Sequence, residues 1–308
     1  MKILKTLLAL LVLTLPFNQS WADGKLKLQE VTEDVYAIVG ELGNRTAANL
    51  GNNATFGFVV TTEGVVLIDS GGSYRGAQKI DLLIKTVTDK PVVTVINSGG
   101  QDHRWLGNGY FRKIGAEIIA SEEAVNDQKA RTQDQFIRLG NLVGDEVIKG
   151  TDAIYAEKTF SQQFDLILGD TIFKIRHSGQ AHTPGDSFIW LPQKKVMFTG
   201  DIVYVERMLG VGTQSNSKSW IRVYETMAAY KPQYLIPGHG QATNLSQAKK
   251  DTYDYLVFLR KLVSDFMENG GDIADIGSVN QSKFNYLLNY KMISGRNAQQ
   301  VFAEIEWE

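Results

Sequence analysis

The chain has 308 residues, 32 basic and 34 acidic side chains, and no cysteine. A charge balance this even excludes the basic footprint of a nucleic-acid binder. The absence of thiols excludes disulfides, so the fold must stand on its core, and any metal must be held by nitrogen and oxygen ligands.

Residues 1–22 read as a secretory signal peptide: Lys2 and Lys5, then an apolar run from Leu7 to Leu15, then Ser20-Trp21-Ala22 ahead of Asp23. The run is well short of the roughly 20 residues that span a bilayer. Its removal leaves 286 residues in the periplasm or outside the cell, with no membrane span. Residues 23–270 are expected to form the main domain and residues 271–308 a polar C-terminal extension with one helix, Asn297 to Glu306.

Leu28 to Gly40 alternates around the turn Glu33-Asp34 and predicts a strand pair. Residues 43–54, rich in Gly and Asn, predict a loop. Phe56 to Thr61 and Val65 to Asp69 predict a hairpin that delivers Asp69-Ser70-Gly71-Gly72. Ile80, Leu83, Ile84 and Val87 share one helical face between Gly76 and Val87. The strand Val92 to Ile96 leads into the loop 97–108, and Leu106 to Ile114 predicts a helix. Ser121 caps a further helix. Gln128 to Ile148 is polar and helical, and reads first as a surface excursion and second as a flap over a site.

Short strands resume at 164–168, 171–177, 187–191, 196–199 and 234–237, with helices at 219–229 and 245–269. Both halves run strands, helix, then strands ending in polar loops. That order predicts an α/β (α+β) fold of two βα layers packed back to back.

Three of the four histidines sit at strand ends, in Ala181-His182-Thr183, Gly238-His239-Gly240 and the loop holding His103; Thr199-Gly200-Asp201 ends another strand. Imidazole placed this way reads as a metal site. His177, beside Arg176 on a strand, reads as structural or solvent-facing.

These loops resemble the metallo-β-lactamase superfamily over about residues 30–245, through "GVVLIDSGG" (64–72), "AHTPGDSFIWLP" (181–192), "VMFTGD" (196–201) and "IPGHG" (236–240). "GRNAQQVFAEIE" (295–306) resembles an extension of exported members associated with sulfur-oxidation and quinoprotein systems. The resemblance implies a four-layer αβ/βα sandwich and a metal-dependent hydrolase acting on a small molecule. It makes His182, Asp201 and His239 metal ligands, and Asp69 the brace of the metal loop.

The loop 97–108 departs from the family's His-x-His-x-Asp-His. A gapless match puts Gly99 and Gln101 at the first two histidines, His103 at the aspartate and Arg104 at the last histidine. A shifted register instead aligns Asp102-His103 with the family's Asp-His. In either register the expectation is one metal ion rather than two. Gln101 could join it or line the pocket, Arg104 could hold a substrate carboxylate or pair with a local Asp, and Trp105 could floor the pocket or pack the core. Tyr204 and Arg207 follow the Asp201 loop at a position that often lines it.

The implied function is an exported hydrolase with one zinc, activating water against an ester, thioester or lactam carbonyl, with Asp102 moving the proton and Asp201 at the centre of the site. Two further readings stay open: a binding protein that has lost catalysis, and a mononuclear iron enzyme oxidising a thiol or persulfide. Substrate and oligomeric state have no signature in the chain.

Overall fold

The computed structural model describes residues 26–308, so the expected signal peptide lies outside the described residues. One mixed sheet holds seven strands in sequential order: β1 (Lys27–Thr32), β2 (Val35–Val39), β3 (Thr55–Thr61), β4 (Gly64–Ile68), β5 (Val92–Asn97), β6 (Glu117–Ser121) and β7 (Lys158–Phe160). The second sheet holds β8 (Gln163–Leu168), β9 (Thr171–Arg176), β10 (Phe188–Leu191), β11 (Val196–Phe198) and β12 (Tyr234–Ile236), in the order β12-β11-β10-β9-β8. The helices are α1 (Tyr74–Ile84), α2 (Asp102–Trp105), α3 (Asn108–Lys113), α4 (Glu122–Val143), α5 (Asp145–Ile148), α6 (Ser217–Ala228), α7 (Leu245–Ala248), α8 (Asp254–Glu268) and α9 (Tyr290–Glu306).

Three apolar layers hold the sheets together. Val35, Ala37, Val59, Val66, Ile96 and Ile119 of the first sheet meet Phe173, Ile175, Ile189 and Phe198 of the second. The outer face of the first sheet packs on Ile80 and Ile84, with Leu83 and Val87 half-buried beside them, the stripe the helical spacing predicted, and on Ala77 of α1 as well. The outer face of the second packs on α6, α8 and α9 through Trp220, Leu259 and Val301. Each fully buried Leu or Ile in these layers contributes roughly 1.5–3 kcal/mol. The result is the expected four-layer arrangement of helix, sheet, sheet and helix.

Two elements differ from expectation. Residues 122–143 form one 22-residue helix, α4, with Ser121 accepting from the Ala124 amide at 3.1 Å. Its Leu139 and Val143 are buried against Trp105 and Leu106, so it is packed structure rather than a polar excursion. The C-terminal helix begins at Tyr290, seven residues before the expected start, and its Ala298, Val301 and Phe302 belong to the same core as α6 and α8. Periodicity understated it because its buried stripe is short and its surface polar.

Candidate metal centre and cavity

The strand ends of both sheets meet along one edge, and the polar loops assemble there. Backbone geometry fixes their register. Asp69, just beyond β4, is held at φ +66°, a left-handed conformation that costs a non-glycine residue energy and is retained where the surroundings determine it. Its Oδ1 accepts from the Ser98 amide at 2.7 Å, and its Oδ2 accepts from the Ser98 hydroxyl at 2.8 Å and from Arg104 Nη1 at 2.9 Å. Asp69 thus braces the loop after β5.

Arg104 is completely buried, and all five of its N–H groups are used. Nε donates to Asp201 Oδ2 at 3.2 Å and Nη2 to Asp201 Oδ1 at 2.6 Å. Nη1 donates to Asp69 and to the Thr55 carbonyl at 3.0 Å, and the second Nη2 proton goes to the Gly238 carbonyl at 2.9 Å. One guanidinium therefore ties β3 and β4 of the first sheet to the loops after β11 and β12 of the second. A Cβ on Gly238 would sit 2.6 Å from Arg104 Nη2, which explains a glycine there.

Asp201 lies between two imidazoles. His103 Nε2 is 3.2 Å from Oδ2 and His239 Nε2 is 3.3 Å from Oδ1. The ligating atoms of His103, Asp201 and His239 all fall within 4.8 Å of one another. Burial alone would raise the Asp201 carboxyl, but Arg104 and then His103 hold it well below the usual carboxylate range. Burial lowers His239 well below an ordinary histidine, so its ring is neutral.

A profile of the metallo-beta-lactamase superfamily matches residues 51–239, spanning the loops just described. The chain belongs to the metallo-β-lactamase superfamily. The type 2 metallo-beta-lactamase of Elizabethkingia meningoseptica is 22% identical over 223 residues, covering 70% of this chain and 79% of that protein. The hydroxyacylglutathione hydrolase GloC of Haemophilus influenzae is 26% identical over 198 residues, covering 60% of this chain and 84% of that protein. Among solved structures, the metallo-beta-lactamase from Pontibacter korlensis superposes with a TM-score of 0.60 at 20% identity, over 76% of this chain and 99% of that one. At that identity the likeness bears on the fold alone.

The two glycines of loop 97–108 that precede Gln101 are closely covered by carboxylates. A Cβ on Gly99 would meet Asp186 Oδ1 at 2.4 Å, and one on Gly100 would meet the Asp127 carboxylate. Asp186 is itself locked by the Thr183 amide at 2.7 Å and the Thr183 hydroxyl at 2.6 Å, and burial pushes its carboxyl up to about 8. Gln101 lines the cavity beside His103 and donates to Asp102 at 3.3 Å.

The remaining candidates are spread around this cluster. Asp102 is buried; it accepts from Arg45 and, at 2.8 Å, from the His103 amide, and it does not line the cavity. Burial would raise it, but Arg45 holds it far below the usual range, which makes it a poor proton carrier. His182 is not one of the three residues whose donors converge. Its Nδ1 donates to the Gly210 carbonyl at 3.0 Å, which leaves Nε2 as an acceptor, and burial lowers its pKa to about 4. Tyr204 stacks on His239 at 4.5 Å, with Arg207 beside it. Trp105 is buried among Leu50, Leu106 and Leu139, away from the cavity, and donates to Gln135. His177 meets the Asp186 carbonyl outside the cavity.

The donor set fits one divalent ion. Two imidazole nitrogens and a carboxylate converge on one point, and an ion there would replace the two Nε2–H···O bonds to Asp201. Among the described residues these three are the one group of three or more His, Asp or Glu side chains close enough to share an ion. There is one condition. A ring that ligates through Nε2 carries its proton on Nδ1, and that proton wants an acceptor. Here Arg45 Nη2 is 2.6 Å from His103 Nδ1, and Arg207 Nη1 is 3.2 Å from His239 Nδ1. Both are donors, so both favour the other tautomer. Arg45 retains Asp102 and Arg207 the Gly43 carbonyl as alternative partners.

The cluster forms part of the wall of a cavity of about 720 Å³. Its other walls come from loop 44–53, one face of α4, the loop after Asp201 and the first turns of α9. Sequence reasoning missed Arg45, Arg131 and Arg296 as lining residues. The signal available was Arg131, Asp134 and Arg138 at i, i+3 and i+7, which share one face of α4.

Proposed function

We propose that this protein is a hydrolase of the metallo-β-lactamase type that works with one metal ion, and that its substrate is a small molecule with an ester, thioester or lactam carbonyl. The convergence of His103, Asp201 and His239 within 4.8 Å carries the reading. The relatives' names, a beta-lactamase and a hydroxyacylglutathione hydrolase, support it at the level of reaction class.

An ion held by these three residues would supply Lewis acidity and a water that ionises near neutrality. Arg104 fixes the Asp201 carboxylate so that its lone pairs face the two imidazoles. His182, neutral at physiological pH, can accept a hydrogen bond at Nε2 from a group in the cavity. Tyr204 covers the His239 ring and keeps that side dry. Export by the N-terminal segment remains part of the proposal; two imidazoles and a carboxylate suit zinc and iron(II) alike, and zinc is favoured because members of this superfamily typically bind it.

A second reading has its own support. The two arginines that face the Nδ1 atoms satisfy the rings without an ion, which suits a family member that binds ligands and does no chemistry. One experiment separates them. Chelator-treated protein is dialysed against zinc, and bound metal is measured for wild type and His239→Ala. One zinc per chain in the wild type and none in the variant supports the hydrolase. No zinc in either leaves the binding protein. Turnover of thioester and lactam probes that follows zinc loading then identifies the bond broken.

A further inference from the structure

The cavity beside the cluster is strongly cationic. Arg45, Arg131, Arg138, Arg207 and Arg296 line it, against a single carboxylate, Asp134. These charges come from four separate parts of the chain, so no one helix face accounts for them. Arg131 is partnered by Asp127 and Arg45 by Asp102. Arg138, Arg207 and Arg296 have no carboxylate partner among the described residues.

The inner pair is the more telling. Arg45 is 8% exposed, and the Nε–H groups of Arg45 and Arg207 are both buried without an acceptor. A buried, unmatched donor on a charged group costs more than a typical hydrogen bond contributes. Burial and the neighbouring Arg45 both disfavour the charge on Arg207. Two guanidinium groups forced together with unused donors are the condition an anion relieves.

We propose that this cavity binds a small molecule carrying two anionic groups, one seated between Arg45 and Arg207 beside the imidazoles and the other met by the more exposed Arg138 and Arg296. Carboxylate and phosphate share the chemistry required. The inference deepens the proposed function, resting on its reading of the cavity as the substrate's site, and it gives that substrate a class. It also places the scissile bond between two negative ends, with the inner arginines setting its distance from His103 and His239.

The test is calorimetric titration of the chelator-treated full chain, at low ionic strength, with inorganic pyrophosphate, glutarate and neutral glutaramide. Binding of pyrophosphate, glutarate or both, with no glutaramide binding and an affinity that falls as sodium chloride is added, supports the proposal and says which anion class is taken. Arg207→Gln is expected to weaken binding at least tenfold. So is the double variant Arg138→Gln/Arg296→Gln, whose exposed positions keep the fold intact; circular dichroism checks both. If glutaramide binds as well as the anions, if no anion binds, or if neither variant changes the affinity, the proposal is overturned. Zinc uptake is measured on the same preparations. Zinc binding without anion binding removes this inference alone, and anion binding without zinc removes the hydrolase alone.

Discussion

At the scale of single residues, Arg104 decides what the site is. A gapless match to the family pattern puts a histidine at its position, and the sequence flagged the arginine as a substrate contact or a local ion pair. The geometry gives it to Asp69 and Asp201, with all five donors used and none left for a substrate. Lysine cannot reproduce that planar fork, and it leaves two buried carboxylates short of donors. Arg104→Lys is expected to destabilise the protein by about 3–5 kcal/mol, read from chemical denaturation, as for a broken buried pair. A loss under ~1 kcal/mol contradicts the role assigned to it.

Arg45 acts in the opposite sense on the metal. Its donor opposite His103 Nδ1 favours the tautomer that cannot ligate, so Arg45→Met is expected to tighten zinc about tenfold in competition with a chelating dye. Weaker zinc binding in that variant rules out the antagonism. Asp186 supplies the pH dependence. Its carboxyl is raised from the usual value to about 8, so the folded chain holds a proton that the unfolded chain releases between about pH 4 and 8. Its contribution is therefore complete below the unfolded pKa and is lost as pH rises towards 8, by about 1.4 kcal/mol per pH unit at most. Asp186→Asn is expected to stabilise the protein at pH 8 and not at pH 4, as followed by thermal unfolding at each pH.

At the scale of elements, the strands and α1 were legible because their apolar spacing is regular and their turns carry Gly, Asn and Asp. The motif loops were legible for the same reason: each ends a strand, and strand ends place side chains at the sheet edge. The reach of α4 and α9 was not. Most of their cavity-facing residues are polar, Arg131, Asp134, Arg138 and Asn141 on α4 and Arg296 and Asn297 on α9, types that also populate solvated faces, and nothing in one chain says that a second element covers them. Besides its apolar stripe, α9 is anchored at the cavity by a polar residue. Asn297 donates to the Leu209 carbonyl at 2.8 Å and accepts from the Val211 amide at 2.8 Å, which fixes the cavity loop that follows Asp201. Asn297→Ala is expected to cost about 2–3 kcal/mol by leaving that buried amide and carbonyl unpaired. It should also increase hydrogen exchange at residues 209–212. Unchanged exchange there says that α9 only packs and does not hold the loop.

At the scale of the whole molecule, two sheets built from opposite halves of the chain meet at one edge, and His103, Asp201 and His239 are delivered there from the ends of β5, β11 and β12. The register question in loop 97–108 illustrates why this was out of reach of spacing alone. His103 belongs to the cluster and Asp102 to Arg45, and that sorting is made by Arg45, over fifty residues away, and by Asp201, nearly a hundred away. Chain order cannot show that partnership. The central claim is that His103, Asp201 and His239 hold one ion and that no second ion joins it. Anomalous diffraction at the zinc edge from crystals grown with zinc tests it most directly. The account predicts a single peak within bonding distance of those three side chains. Two peaks, or one peak coordinated by His182 and not by His239, would contradict it.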